Sequence, residues 1–117
     1  MIEVASPLET QAAQQGGWEL VFWAEAFNYQ TPFRAMLIEI AGALGQDAQN
    51  DLCLPSYEEN EDFIEGSLQF GAARLRIYFE YALGYLALMS DEETVLRNAA
   101  ERIRPRISVI SADELAT

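Results

Sequence analysis

The stretch F-I-E-G-S-L-Q-F-G-A-A-R-L-R-I-Y-F-E, Phe63 to Glu80, alternates apolar and polar residues on both sides of Gly71-Ala72. Alternation with a period of two is the mark of a strand with one buried face, and a glycine at the first of two loop positions suits a type II′ hairpin turn. With Gly71-Ala72 as the loop, paired residue numbers sum to 143. Ile64, Gly66, Leu68 and Phe70 then share a face with Ala73, Leu75, Ile77, Phe79 and Tyr81. Glu65, Ser67 and Gln69 share the opposite face with Arg74, Arg76, Tyr78 and Glu80. One face is core and the other is wet.

Working outward, a turn around Ala82 to Gly84 returns Tyr85 to Met89 as a third strand, with Leu86 and Leu88 on the apolar face. Ser90-Asp91-Glu92-Glu93 carries a capping-box pattern and an acidic first turn, which predicts a helix over 91–104 with Val95, Leu96, Ala99 and Ile103 as its buried stripe. Pro105 stops it, and 106–110 reads as a last short strand. On the other side, Thr31-Pro32 opens a helix over 32–44 with Phe33, Met36, Leu37, Ile40, Ala41 and Leu44 on one stripe and Gly45 as its stop. Residues 46–62 read as a polar connection.

The N-terminal quarter carries competing signals. Ser6-Pro7-Leu8-Glu9 has the serine, proline and glutamate of a helix start, predicting a short helix to about Gln15 stopped by Gly16-Gly17. In 18–28, Leu20, Trp23, Ala24 and Phe27 fit a helical face while Trp18, Leu20 and Phe22 fit a strand. Ala24-Glu25-Ala26 and a capping Asn28 favour helix. The expected fold is α+β: an antiparallel meander over 63–70, 73–81, 85–89 and 106–110, packed on one face by helices 32–44 and 91–104, with further helix at the N-terminus. All 117 residues read as one domain with a loosely held tail at 112–117.

Half the residues are apolar, which separates the chain from disordered ones. Nineteen carboxylates face seven cations, all of them arginine, for a net charge of −12. That balance disfavours direct contact with nucleic acid phosphates or an anionic membrane and favours a cationic partner. No apolar run approaches the length of a membrane span and no positively charged leader precedes one, so the expected compartment is cytoplasmic. Cys53 is the sole cysteine, so an intrachain disulfide is excluded, and it reads as a small apolar residue near the core.

Catalytic chemistry finds little to work with. The chain has no histidine and no lysine, which removes the commonest general base, the Ser-His and Cys-His pairs, the Schiff-base lysine and the phosphate-binding G-x-x-x-x-G-K-[ST] loop. Glu65 and Glu80 share the wet hairpin face, but beside Arg74 and Arg76 they read as cross-strand salt bridges. Asp47 and Asp51 lack the loop pattern of a calcium site. The expectation is a protein that is not an enzyme, with no cofactor and no metal.

Charge is distributed unevenly. From Ala35 to Ala73 there are eight carboxylates and no cation, and Glu58, Glu59, Glu61, Asp62 and Glu65 fall within eight residues. Such a run is a solvated loop or a surface for a basic partner. Tyr78 and Tyr85, projecting on the adjoining wet face, tip the reading toward a surface, because aromatics rimmed by charge are interface composition. The candidate partner-binding residues are Asp51, Tyr57, Glu58, Glu59, Glu61, Asp62, Glu65, Tyr78, Glu80 and Tyr85.

The run Y-E-E-N-E-D-F-I-E-G-S-L-Q-F, the block L-R-I-Y-F-E-Y-A-L-G-Y-L and the acidic S-D-E-E after them resemble, in type and over about Tyr57 to Leu86, the bacterial immunity proteins that neutralise secreted toxins, including those of contact-dependent growth inhibition. The resemblance implies a small cytoplasmic, non-catalytic chain, monomer or homodimer, that occludes a basic toxin of nuclease type. Small acidic type III secretion chaperones are also α+β, but they carry two strands where this chain shows one after its 91–104 helix. A DNA-mimic inhibitor is a further alternative.

Overall fold

A computed structural model describes residues 2–4, 6–14, 16–23, 33–56, 63–80 and 84–109. Its centre is the hairpin of β5 (Phe63–Phe70) and β6 (Ala73–Glu80), in the register that pairs Phe63 with Glu80 and Phe70 with Ala73. Gly71 has φ +59° and Ala72 after it does not share a positive φ, which is the backbone of a type II′ rather than a type I′ turn. β7 (Tyr85–Ser90) adds antiparallel to β6.

Beyond β7 lies β3 (Trp18–Trp23), and outside it β2 (Glu9–Ala12). β2 lies where a short helix was expected, and for β3 helix was favoured over a strand alternative. Glu9–Ala12 supplies few apolar side chains for a helix to bury, and a short isolated helix is marginal in water. As a strand the same residues complete a ladder with β3, and Gly16-Gly17 form the connecting turn, with Ala13 N donating to Gly17 O at 3.0 Å. For β3 the strand alternative holds: Leu20 and Phe22 are fully buried in the core, while Glu19, Val21 and Trp23 take the other face. The helix-favouring residues 24–28 lie outside the described residues.

On the other edge, the expected polar connection contains a one-turn helix, α2 (Ala48–Asp51), and a two-residue strand, β4 (Leu52–Cys53), paired with β5. Among the described residues the six strands of this sheet run β2-β3-β7-β6-β5-β4, all antiparallel, and the fold is α+β. Cys53 is exposed on that edge strand, contrary to the core position expected of it. β4 comes close enough to β5 that a side chain at Gly66 has no room: a Cβ there would stand 2.5 Å from Cys53 O and 2.7 Å from Leu54 Cδ2. Gly66→Ala is therefore expected to lose about 1–3 kcal/mol in urea unfolding. An unchanged midpoint would show that β4 lifts off freely.

α1 (Phe33–Ala43) and α3 (Glu93–Ile103) cover the apolar face. Phe33 stacks on Phe79 with ring centroids 4.1 Å apart, and Met36, Leu37, Ile40, Leu44, Leu96 and Ile103 are buried in the same core. The stripe read for α1 is the one that packs; on α3 Leu96, Ala99 and Ile103 are buried as read, while Val95 is only half-buried and Ala100 joins the core instead. α3 starts two residues later than its sequence pattern suggests, because Ser90 is still paired with Trp18 in the sheet. Its Oγ accepts from Glu92 N at 3.1 Å, and Glu92 is the N-cap residue, so the Ser90–Glu93 capping box does not form.

After a single 3-10 turn at Arg104–Arg106, β8 (Ile107–Val109) does not join the meander. It pairs parallel with β1 (Ile2–Val4), a strand without a signal in the sequence, as a separate two-stranded sheet. Ile2 and Val4 are buried in the common core. Among the described residues no helix is long and apolar enough to cross a membrane.

Candidate functional site

The sheet face turned away from α1 and α3 carries the chemistry. Strand alternation puts Phe63 and Glu65 of β5, Arg76, Tyr78 and Glu80 of β6, Tyr85, Ala87 and Met89 of β7, and Glu19, Val21 and Trp23 of β3 on it. Four aromatic rings from four strands run across it in unbroken contact. Trp23 meets Tyr85 with centroids 5.0 Å apart, Tyr85 meets Tyr78 at 5.8 Å, and Tyr78 meets Phe63 at 5.0 Å, each pair edge to face. This is the geometry aromatic pairs favour, and each contact adds to the stability of the row. Phe63 and Trp23, at its two ends, remain 52% and 41% exposed.

Beneath and beside the row sit carboxylates. Glu19 is only 8% exposed; its Oε1 accepts from Gln11 Nε2 at 2.7 Å and its Oε2 from the Tyr85 hydroxyl. The Tyr78 hydroxyl donates to Glu80 Oε2 at 3.3 Å, and Glu65 stands opposite Tyr78 in the β5–β6 register. Burial, reinforced by Glu19, pushes the Tyr85 phenol well above its ordinary pKa; partial desolvation followed by Glu80 and Glu65 pushes Tyr78 upward too. Both phenols therefore keep their protons at neutral pH. Val21 and Ala87 are buried on this face without belonging to the main core. The row borders an open concavity of about 930 Å³, lined among others by Gln11, Glu19, Trp23, Phe63, Tyr78 and Tyr85.

Tyr85→Phe keeps the ring row and removes one donor from a buried carboxylate. The expected loss is about 1–3 kcal/mol, read from urea midpoints. A loss as small as that of an exposed surface change would mean that Glu19 rehydrates.

Of the residues singled out from sequence, the structure brings together Glu65, Tyr78, Glu80 and Tyr85. Asp51 is elsewhere. Its Oδ2 accepts from Asp47 N and Gln46 Nε2, both at 2.9 Å, and these bonds lower its pKa; Gln46 in turn accepts from Gly71 N at the hairpin turn. That is the end of β5 opposite Phe63, roughly 25 Å away at strand spacing. Asp47 caps α2 by accepting from Gln49 N, so both aspartates are engaged in local structure, and among the described residues no group of three metal-ligating side chains forms. Tyr57, Glu58, Glu59, Glu61 and Asp62 lie outside the described residues.

The expected cross-strand salt bridges are absent among the described residues. Arg76 pairs with Asp91 at 3.3 Å and Arg74 donates to Ser67 Oγ at 2.8 Å. The register explains this, since Glu65 faces Tyr78 and Glu80 faces Phe63, whereas the arginines face Ser67 and Gln69 nearer the turn. Trp23, Phe63 and Glu19 were missed as site residues. For Phe63 the signal was present, because the same register sets it beside Glu80. For Trp23 and Glu19 it depended on reading 18–23 as a strand.

No family model matches the chain, and no curated protein sequence and no solved structure matches it.

Proposed function

We propose that this chain is a non-catalytic protein-binding module of the toxin-immunity type, acting in the cytoplasm, which uses its open sheet face to occlude a basic protein such as a nuclease toxin. The observation that carries this reading is the four-ring row crossing a sheet face that sets Glu19, Glu65 and Glu80 beside the rings. Interfaces are enriched in such aromatics, and a partner with a basic active surface would find complementary charge around them. The net charge of −12 adds long-range attraction for such a partner. The residue types present offer no activated nucleophile or histidine base, which supports action by occlusion.

The test is to express the product of the adjacent open reading frame with and without this chain. Rescue of growth, together with a one-to-one complex that is lost when Tyr78 and Trp23 are both changed to alanine, is the expected result. Toxicity that this chain leaves untouched, or rescue that survives the double change, would defeat the reading. Competition of the partner's binding by duplex DNA would mark the DNA-mimic alternative instead.

A further inference from the structure

We propose that the Tyr78 end of the aromatic row is a receptor for one arginine side chain of the basic partner, held over the Tyr78 ring between the Glu65 and Glu80 carboxylates. The inference rests on the reading of this face as a docking surface and adds which group the surface takes. Tyr78 lies directly across from Glu65, two residues before Glu80 on the same strand face, with Phe63 edge-on beside it. One ring is thus bracketed by two carboxylates and an apolar wall.

Hydrogen-bond polarity decides the occupant. A phenol has a single proton, and those of Tyr78 and Tyr85 are already donated to Glu80 and Glu19. What this patch presents outward is acceptors only: phenol lone pairs, carboxylate oxygens and ring faces. A carboxylate or phosphate ligand would meet no donor from these residues. The nearest cation on the face, Arg76, is turned to Asp91. A donor-rich cation is complementary in both charge and hydrogen bonding.

Arginine fits better than lysine for two reasons. Its planar guanidinium stacks on an aromatic face while its fork of N–H groups reaches a carboxylate bidentately, whereas an ammonium is a compact, strongly hydrated charge. A phenol that donates to a carboxylate also has a more electron-rich ring, which strengthens attraction for a cation above it.

The test uses labelled hexa-arginine and hexalysine peptides titrated against the full chain at equal ionic strength and followed by anisotropy. Hexa-arginine is expected to bind about two- to fivefold more tightly, the scale of an exposed cation–aromatic contact. Tyr78→Leu should erase that ratio, and Glu65→Gln, at an exposed position, should weaken both peptides. Equal affinities in the wild-type chain would overturn the proposal, as would a ratio unchanged by Tyr78→Leu or self-association that blocks the peptides. If the neighbouring gene's product binds while the ratio is one, the docking reading stands and the arginine receptor falls. If the ratio holds and that product does not bind, the receptor stands and the partner assignment falls.

Discussion

Phe79→Ala is expected to lower the free energy of unfolding by about 3–5 kcal/mol, the usual cost of deleting a buried aromatic ring. Phe79 is 1% exposed on β6, inside the six-stranded sheet, and its ring lies flat against Phe33 at the first turn of α1. Alanine there opens a cavity at the seam between sheet and helix. It also removes the contact that seats the start of α1, where no acidic residue in the first turn supports the helix dipole. A domain of ordinary stability has about 5–15 kcal/mol in total, so the variant should stand near its folding threshold. Urea unfolding followed by circular dichroism should show the midpoint falling steeply with the slope unchanged. A cycle with Phe33→Leu isolates the stacking, for which a coupling of about 0.5–1.5 kcal/mol is expected. A total loss below about 1 kcal/mol, typical of surface changes, would mean that α1 does not rest on β6 through these two rings.

The same contact shows what sequence reasoning reaches. The hairpin, β7 and the stripes of α1 and α3 were legible because their signals are local: a turn glycine, a period of two, a period of 3.6. Trp18–Trp23 carried two periods at once, and what decides between them is β7, whose Tyr85 lies sixty-two positions along the chain from its partner Trp23. No local signal contains that pairing. Glu9–Ala12 follows from it, since a strand at the edge supplies the ladder that a second strand completes. β1 and β8 pair across nearly the full length of the sequence, with three residues each, too few for alternation to register.

The candidate site divides along the same line. Glu65, Tyr78 and Glu80 were legible because the hairpin register alone assembles them, and Tyr85 followed with the next strand. Trp23 and Glu19 became visible only with β3 in place. Asp51 illustrates the reverse error: nearness in an acidic sequence was taken for nearness in space, yet the chain carries it to the turn end of β5.

Removal of ring contacts and removal of charge should alter partner binding in different rate constants. Tyr78→Ala takes out a large, rigid side chain in the middle of the aromatic row, and if the row is the buried centre of an interface its loss should cost about 2 kcal/mol or more. That corresponds to roughly a thirtyfold faster dissociation, at about tenfold per 1.4 kcal/mol. Phe63→Ala, at the exposed end of the row, should follow the same pattern with a smaller effect. If the carboxylates Glu58, Glu59, Glu61 and Asp62 steer the partner from a distance, replacing all four with glutamine and asparagine should slow association by about one decade at low salt and flatten its salt dependence. Tyr78→Ala should leave that salt dependence intact, because it removes no net charge. Surface-immobilised partner and a salt series measure both constants in one experiment. If the charge-neutral variant dissociates faster while Tyr78→Ala associates more slowly, the assignment of anchors and steering charges is inverted. If neither variant changes either rate, the partner sits on another face, because a group that contacts it cannot be deleted without some change in how it arrives or leaves.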